Sequence, residues 1–284
     1  MKKLGTVITF IALGIIIFNA CNQDDTFTTP KTKSKLNVYL TDAPFPVELV
    51  SQTIVNIDKI EIRKQGSDST DAGFIVISEE PIEIDLLSLS NGLTEQLASV
   101  ELDSGSYDMI RMHVTDSKVI LKDNTEFDLK IPSGSSSGLK IKIDPSIEVS
   151  SGQNIDVLLD FDVSKSFVAK GNWKGGKING FNFKPVVRCV LLGMAGRIEG
   201  TVSDTASNAL ENAAVKVWLP TTENDSLITS SFTDSNGKYQ VIGILSGTYY
   251  LTTELDSFQT DTVWNVDVLQ GQSTQVDIQL TPEP

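Results

Sequence analysis

Residues 36–44 alternate between apolar and polar side chains and then reach a proline: Leu36-Asn37-Val38-Tyr39-Leu40-Thr41-Asp42-Ala43-Pro44. Leucine or valine occupies every second position, and this period of two is typical of a strand with one buried face. Proline cannot donate a backbone hydrogen bond to a neighbouring strand, so the strand is expected to end there. The segment predicts that the domain around it is built from β-strands.

The same alternation returns in short segments as far as residue 192. Turn-forming glycine, asparagine and serine residues separate these segments, and the stretch 87–98 is the one expected to be helical or looped. Strands this short, at a spacing of about 8–12 residues, indicate a sandwich or a barrel. The predicted strands are 55–62, 74–77, 82–86, 108–115, 118–121, 126–131, 138–143 and 153–162.

A second series of alternating segments begins at Ala195. Its predicted strands are 195–202, 214–219, 228–232, 238–242, 248–255, 263–269 and 274–280. Seven strands in a segment of this length fit a small β-sandwich. We therefore predict an all-β protein with two β-sandwich-like domains in tandem, at residues 36–192 and 195–284.

Composition narrows the classes of function. The 284 residues include 23 Lys and Arg against 37 Asp and Glu, a net charge of −14, so nucleic acid is not an expected partner. One His and two Cys are too few for zinc, haem or iron–sulfur sites, which use three or four such ligands. The sequence predicts no cofactor.

The N-terminus resembles the signal peptide of a bacterial lipoprotein. Two lysines precede the apolar run 4–18, which is too short to cross a bilayer, and a small residue stands before a cysteine in Phe18-Asn19-Ala20-Cys21. This similarity implies cleavage after residue 20 and acylation of Cys21. Two or three acyl chains are sufficient for stable anchoring, so the membrane is an expected partner through Cys21.

The residues after Cys21 are expected to form a sorting signal and a flexible tether. Asn22-Gln23-Asp24-Asp25 resembles the acidic signal that sends lipoproteins of Bacteroidota-type bacteria to the outer leaflet of the outer membrane. Asp24 and Asp25 are therefore the export-signal candidates, and the alternative is a solvated linker. Residues 21–35 lack apolar periodicity and predict a flexible tether. Cleavage would remove Lys2 and Lys3 and lower the net charge to −16.

Several segments of the first domain carry a resemblance to a known family. In order they are Thr41-Asp42-Ala43-Pro44, Asp85-Leu86-Leu87 with Leu97-Ala98, Gly105-Ser106-Tyr107, Leu159-Asp160-Phe161-Asp162-Val163-Ser164-Lys165-Ser166 and Phe183-Lys184-Pro185-Val186-Val187-Arg188. Together they are similar to a lipoprotein domain of unknown function, number 4382 in the series of such families. That resemblance implies a secreted β-domain and no catalytic role.

The second domain resembles the carboxypeptidase-regulatory-like domain, which has a transthyretin-like or carbohydrate-binding-like fold. The matching segments are Gly200-Thr201-Val202, Ala213-Ala214-Val215, the stretch 233–239 and Gly247-Thr248-Tyr249-Tyr250-Leu251. Aromatic side chains here offer stacking surface for sugars, although their alternation favours the core for several of them. They are Tyr239, Tyr249, Tyr250, Phe258 and Trp264.

Four carboxylates of the first domain are the only candidates for a hard-cation site. Asp156, Asp160 and Asp162 share one face of a regular strand, and Asp42 ends another strand. Clustered carboxylates raise one another's pKa or bind a cation such as Ca²⁺. The alternative is a solvent-facing acidic side, and on that basis we predict no metal and no catalytic residue.

The remaining reactive side chains favour structural roles. His113 falls on the polar side of its strand and is expected to be solvated, and Cys189 is expected to be a buried core thiol. The glycine-rich segment 171–177 lacks the context of a phosphate loop and predicts a turn. Asp234-Ser235-Asn236-Gly237 lacks the later ligands of a calcium loop and predicts a hairpin turn.

These observations predict a non-enzymatic, lipid-anchored protein of the outer membrane, exposed at the cell surface. Its β-domains are expected to bind a glycan or an envelope protein. One alternative is an accessory or hydrolytic component of a polysaccharide-processing system that uses the Asp carboxylates. The other is a structural stalk. The sequence does not identify the ligand-binding residues.

Overall fold

The first domain is a two-layered β-structure. A computed structural model describes residues 33–43, 49–67, 73–131, 137–172 and 177–284, which belong to one compact unit, Thr32–Pro284. The predicted signal peptide, Cys21, Asp24 and Asp25 lie outside the described residues. The strands of this domain are β1 (Ser34–Ala43), β2 (Val50–Lys64), β3 (Phe74–Ser78), β4 (Ile82–Asp85), β5 (Glu95–Leu102), β6 (Gly105–Leu121), β7 (Glu126–Leu129), β8 (Leu139–Val149), β9 (Asn154–Asp162), β10 (Phe167–Asn172), β11 (Lys177–Phe183) and β12 (Val187–Leu191).

One layer has the strand order β12-β9-β1-β5, and the other is a six-stranded sheet around the long antiparallel pair β2 and β6. Strand β1 pairs in parallel with β9, and β10 and β11 form a separate hairpin. The turn expected at 171–177 falls on residues 173–176, which lie outside the described residues. Of the stretch 87–98, only the start is helical: a 3₁₀ turn covers Leu86–Leu89, and β5 begins at Glu95.

The core of the first domain lies between its two layers. Leu36, Val38 and Leu40 face it from β1, as the period of two predicts, and all three side chains are fully buried. Val157, Leu159 and Phe161 do the same from β9. A single turn of helix, α1 (Val163–Ser166), follows β9.

The second domain is a β-sandwich. Its strands are β13 (Ala195–Asp204), β14 (Ala214–Leu219), β15 (Ser226–Phe232), β16 (Lys238–Leu245), β17 (Gly247–Glu254), β18 (Asp261–Val268), β19 (Ser273–Gln275) and β20 (Ile278–Leu280). One sheet has the order β15-β14-β17-β18, and the other is built around β13, with β16 on one side and β19 and β20 on the other.

The last predicted strand, 274–280, is divided into β19 and β20. The division falls at residues 276–277, where the N–H of Val276 donates to Glu199 and its carbonyl accepts from the Tyr239 hydroxyl at 2.7 Å. The carbonyl is therefore bonded to a side chain instead of a neighbouring strand. Two other differences concern the first domain: the predicted strands 108–115 and 118–121 are one continuous strand, β6, and β5, β10, β11 and β12 were not predicted as strands. The fold class is confirmed, since the protein is all-β with tandem sandwich-like domains.

The two domains touch along one face of β9 and β12. Leu158 of β9 and Val190 of β12 are buried with Ala195, and Ile242 of β16 packs against them. A side chain of the loop before β5 also reaches the second domain, since Asn91 accepts a hydrogen bond from the N–H of Gln240. Strand β9 is therefore buried on both faces.

Candidate functional site

Three of the segments that carry the family resemblance meet at one corner of the first domain. The parallel register places Thr41 of β1 opposite Asp160 of β9, and Arg188 of β12 lies opposite Asp160 on the other side. Thr41 and Asp160 are more than a hundred positions apart in the sequence. The tertiary fold therefore brings Asp42, Asp160 and Arg188 into one neighbourhood.

Asp160 forms an ion pair that links the two domains. Its Oδ2 lies 2.7 Å from Nη2 of Arg188, whose Nη1 donates to the carbonyl of Gly243 in the second domain at 2.9 Å. Only 3% of Asp160 is exposed, so the expectation of a solvent-facing acidic side is wrong for this residue. Alternation correctly places Asp160 on the side of β9 that faces away from the first core, but the second domain covers that side.

Asp42 is buried without a hydrogen-bond partner among the described residues. It is 5% exposed, and neither carboxylate oxygen is bonded. Burial, followed by the negative charge of Asp160, raises the pKa of Asp42 well above its ordinary value. The N–H of Val163 opposes this rise, although it makes no hydrogen bond of normal geometry with Asp42. Burial and the charge of Asp160 thus both favour the neutral acid relative to the carboxylate.

A polar cavity of about 10 Å³ lies at this corner, lined by Thr41, Asp42, Asp160, Ser231 and Gln240 among others. A cavity of this size holds about one water molecule. A sugar does not fit in it. Asp42 and Asp160 are therefore shielded from a polymeric substrate.

The other two acidic candidates have structural partners. Asp156 accepts a hydrogen bond from Nδ2 of Asn37 at 2.7 Å. Asp162 caps α1 by accepting from the N–H of Lys165 at 3.0 Å, and it also forms an ion pair with the Nζ of Lys165. Within the described ranges, no group of three or more His, Cys, Asp or Glu side chains could hold a metal ion.

His113 is buried in an ionic cluster on the outer face of the six-stranded sheet. Its Nε2 lies 2.7 Å from Oε2 of Glu61, which also accepts from Nε of Arg111 at 2.5 Å. The Arg111 guanidinium lies 4.0 Å from the centre of the Phe74 ring. The expectation of a solvated histidine is therefore wrong, because neighbouring side chains cover this part of the outer face.

Charge and burial compete at Glu61. Burial would raise its pKa, but the hydrogen bonds from Arg111 and His113, together with the charges of Arg111 and Lys59, outweigh this and lower it. The cluster is a stabilised ion pair, and the neighbouring hydrogen bond holds the histidine ring in place.

Cys189 is a free, half-buried thiol on β12, packed against the first core. Burial raises its pKa to about 12. The reactive form of a cysteine is the thiolate, which this environment disfavours strongly. A structural role for Cys189 agrees with this position.

The segment 234–237 forms the turn between β15 and β16. Oδ1 of Asp234 accepts from the N–H groups of Asn236 and Lys238 at 2.8 and 2.9 Å, and Gly237 has a φ of +71°. The carboxylate is thus engaged by its own backbone. The predicted turn is confirmed, but it is not a hairpin, because β15 and β16 belong to different sheets of the sandwich.

The outer face of the sheet β15-β14-β17-β18 carries three stacked aromatic side chains, which we call the aromatic face: Trp218, Tyr250 and Trp264. The rings of Trp218 and Tyr250 are nearly parallel, with centroids 6.1 Å apart, and those of Tyr250 and Trp264 are 4.5 Å apart. Trp264 is 62% exposed. An indole this exposed in a packed row of aromatics is a surface available to a ligand.

Hydrogen bonds hold the aromatic face in place. Nε1 of Trp218 donates to Oγ1 of Thr252 at 2.9 Å, and the Tyr250 hydroxyl donates to Oδ2 of Asp225 at 2.8 Å. The polar atoms at the edges of the two rings are thereby satisfied. These bonds orient the Trp218 and Tyr250 rings before any ligand arrives, which lowers the entropic cost of binding.

The aromatic residues named from the sequence divide between two environments. Tyr239 and Tyr249 are buried in the sandwich core, as expected, and Phe258 packs against it. Trp264 is not in the core, and Tyr250 lies beneath the neighbouring indoles on the outer face. Alternation along β17 explains why the two tyrosines differ, because Tyr249 and Tyr250 must point to opposite faces. Trp264 leaves the core side because the pairing of β17 with β18 shifts register between Tyr249 and Leu251.

Two family models match the chain, and each covers one of its two domains. The first, domain of unknown function (DUF4382), matches residues 33–185, which is more than half of the chain. The chain belongs to the DUF4382 family. The second, carboxypeptidase regulatory-like domain, matches residues 197–281, the sandwich that follows the DUF4382 domain. Both resemblances recognised in the sequence are confirmed.

Solved structures resemble the chain weakly. A catechol 1,2-dioxygenase from Acinetobacter sp. ADP1 is 16% identical over 32% of this chain and 54% of its own, with a TM-score of 0.26. A putative carbohydrate binding protein from Bacteroides uniformis is 18% identical over 31% and 41%, with a TM-score of 0.25. The minor pilin GBS52 of Streptococcus agalactiae is 9% identical over 87% and 96%, with a TM-score of 0.26.

The chain spans about half the length of the dioxygenase structures that it matches. Among curated proteins, no relative matches it. No helix among the described residues of this DUF4382 protein is long and apolar enough to cross a bilayer.

Sequence reasoning missed one residue of the aromatic face, Trp218. A signal for it was present, because Val215 and Val217 are the apolar positions of β14 and place Lys216 and Trp218 on the opposite, polar side. A tryptophan on the polar side of an alternating strand is a candidate for ligand binding. That pattern would have pointed to Trp218 without a structure.

Proposed function

We propose that this DUF4382 protein is a non-enzymatic, lipid-anchored protein of the bacterial outer membrane that binds glycans through the aromatic face. The observation that carries the proposal is the exposed Trp264 ring, stacked on Tyr250 beside Trp218. Binding by stacking requires no titrating residue and no metal ion. The function is thus consistent with the chemistry of the described side chains.

The physical basis is the shape and polarity of a sugar. One side of a pyranose ring presents C–H groups, and a flat indole buries that apolar area on contact. Hydroxyl groups at the rim of the sugar need polar partners, which Thr252, Asp225 and Lys216 offer beside the rings. Mixed aromatic and polar linings of this kind are typical of small-molecule sites.

The anchor would present this face at the cell surface. Acyl chains on Cys21 hold the protein to the membrane, and the residues between Cys21 and β1, which begins at Ser34 rather than after residue 35, separate the folded domains from it. The mature net charge of −16 disfavours polyanionic partners such as nucleic acid. A display role of this kind places the binding face where envelope or environmental glycans can reach it.

Removal of the exposed indole is expected to abolish most glycan binding. A glycan array and subsequent titration calorimetry on the full chain in detergent should identify a ligand, and Trp264→Ala should weaken its binding at least about tenfold. An interface residue of this type contributes roughly 2 kcal/mol or more, and 1.4 kcal/mol corresponds to a factor of ten. The melting temperature should barely change, because the side chain is largely exposed.

The matched control is Leu269→Ala, which removes an exposed apolar side chain outside the aromatic face. That variant should bind the ligand as the unmodified protein does. Equal losses in the two variants would contradict the assignment of the aromatic face. Full binding by Trp264→Ala would contradict it as well.

Loss of the acylated cysteine is expected to release the protein from the membrane. Cys21→Ser removes the only thiol at the predicted lipidation position, so the protein should move from the membrane fraction to the soluble fraction. Fractionation followed by immunoblotting measures this directly. A Cys21→Ser protein that still sediments with membranes would show that another feature anchors the chain.

Surface exposure depends on the acidic residues after the cysteine. Protease added to intact cells should cleave the unmodified protein, and replacement of Asp24 and Asp25 by Ala should protect it by retaining it in the periplasmic leaflet. Protection of the unmodified protein would refute the proposed location, while leaving the anchor itself intact.

A further inference from the structure

A groove of about 1060 Å³ lies beside the aromatic face, where the second domain meets the first. Its floor is the same outer sheet face, since it contains Ala214 and Lys216 of β14 and Phe232 of β15. Its far wall belongs to the DUF4382 domain, through Lys122 and Ser164. The volume is slightly above the usual range for small-molecule sites in proteins.

The groove and the aromatic face form one continuous surface. Along β14, the side chains of Ala214, Lys216 and Trp218 point to the same side, so the two regions share a strand. The register with β17 places Thr252 opposite Lys216, and Thr252 also bonds the Trp218 indole. From Ala214 to Trp218 the strand rises about 13 Å, which is longer than one sugar ring.

The lining of the groove combines apolar and charged groups without a positive excess. Phe232, Leu227 and Phe258 supply apolar area, while Lys216 is paired with Glu254 at 2.6 Å. Its other charged residues are Lys122, Asp256 and Glu283. Acidic side chains outnumber basic ones in the groove, so a negatively charged oligosaccharide would be repelled.

Building on the function proposed above, we infer that the ligand is an extended, neutral oligosaccharide. One end of it stacks on the aromatic face, and the chain continues along β14 into the groove until it reaches the DUF4382 domain. Both domains then contribute to one binding site. A single terminal sugar would use the aromatic face alone.

Affinity should therefore rise with the length of the ligand. The full chain in detergent is titrated with neutral cello-, xylo- and malto-oligosaccharides of two to eight units, and with oligogalacturonates as the acidic counterpart. In the series that binds, we expect the dissociation constant to fall at least about tenfold between two and six units. Oligogalacturonates should bind more weakly than neutral oligosaccharides of the same length.

A variant that fills the groove separates its contribution from that of the aromatic face. Ala214→Arg adds a long side chain to the groove floor and should remove the gain in affinity with length. Ser226→Arg adds the same charge at an exposed position outside the groove and should keep the gain. Trp264→Ala should weaken binding at every length.

Each other outcome overturns a defined part of the inference. The extended site is refuted if affinity does not change with ligand length, or if the gain with length survives in Ala214→Arg. In either case, binding that still depends on Trp264 supports the proposed function. Tighter binding of oligogalacturonates refutes the neutral ligand. No binding by any oligosaccharide of the series refutes this inference, and the glycan array then decides the proposed function separately.

Discussion

Glu61→Gln is expected to lower the free energy of unfolding by about 3 kcal/mol, the lower end of the cost of breaking a buried ion pair. The side chains of Glu61 and Arg111 are 7% and 8% exposed, so water screens this ion pair only weakly and loss of the carboxylate removes an attraction of full strength. The amide still fills the same space, so the loss reports the missing charge. Chemical denaturation of the full chain in detergent measures it.

Two matched variants test this explanation. Glu126→Gln removes a carboxylate from an exposed pair with Lys118 and should cost less than about 1 kcal/mol. The double variant Glu61→Leu with Arg111→Met removes both buried charges and should recover part of the loss. If Glu61→Gln is as mild as the surface variant, the cluster does not stabilise the domain.

Acid should weaken the unmodified protein through the same carboxylate. The folded protein holds the pKa of Glu61 below its ordinary value of 4.5, so the ionised form stabilises the fold above that pH. This contribution is lost as the pH falls through the lowered value. A pH series of unfolding curves should therefore show a steeper acid decline in the unmodified protein than in Glu61→Gln.

Gly200→Ala is expected to destabilise the second domain by about 3–4 kcal/mol. A Cβ at this position of β13 would lie 1.8 Å from the carbonyl oxygen of Val276, and this backbone atom cannot rotate away. Overpacking of this kind costs about 1–3 kcal/mol. Displacing the carbonyl also removes the partner of the buried Tyr239 hydroxyl, which costs a further 1–3 kcal/mol or so.

Gly193→Ala is the matched control, because a Cβ there would meet nothing within 4 Å. Its effect should stay within about 0.5 kcal/mol. Thermal melting of the two variants makes the comparison. Equal melting temperatures would mean that the Val276 carbonyl can move away from residue 200 without cost. Its bond to the Tyr239 hydroxyl would then not explain why the strand is divided into β19 and β20.

Periodicity predicted most of the strands correctly because burial of one sheet face leaves a period of two in the sequence. Leu36, Val38 and Leu40 face the first core, and Val215 and Val217 face the second, as this pattern indicates. The turn at 234–237 followed from local chemistry alone, since the Asp234 carboxylate bonds its own backbone. These features depend on neighbours in the chain.

Other expectations were wrong where a distant segment covers a strand face. His113 and Asp160 both lie on the side that alternation assigned to them, yet Phe74 and its neighbours enclose one cluster, and the second domain covers the other residue. The carbonyl of Val276 divides a strand that looks continuous in the sequence. In each case the partner is far away along the chain.

Short-range patterns in the amino-acid sequence were sufficient for the β-class, the two domain families and, in regular strands, the side on which a residue lies. An irregularity in β18 puts Trp264 on the side opposite to Val266 and Val268, and the tertiary fold sets which sides are buried. The fold left Trp264 exposed on Tyr250 and Trp218, and it joined this face to a groove against the DUF4382 domain. The physical reason is that alternation specifies a direction for each side chain, whereas burial depends on what the rest of the fold places there.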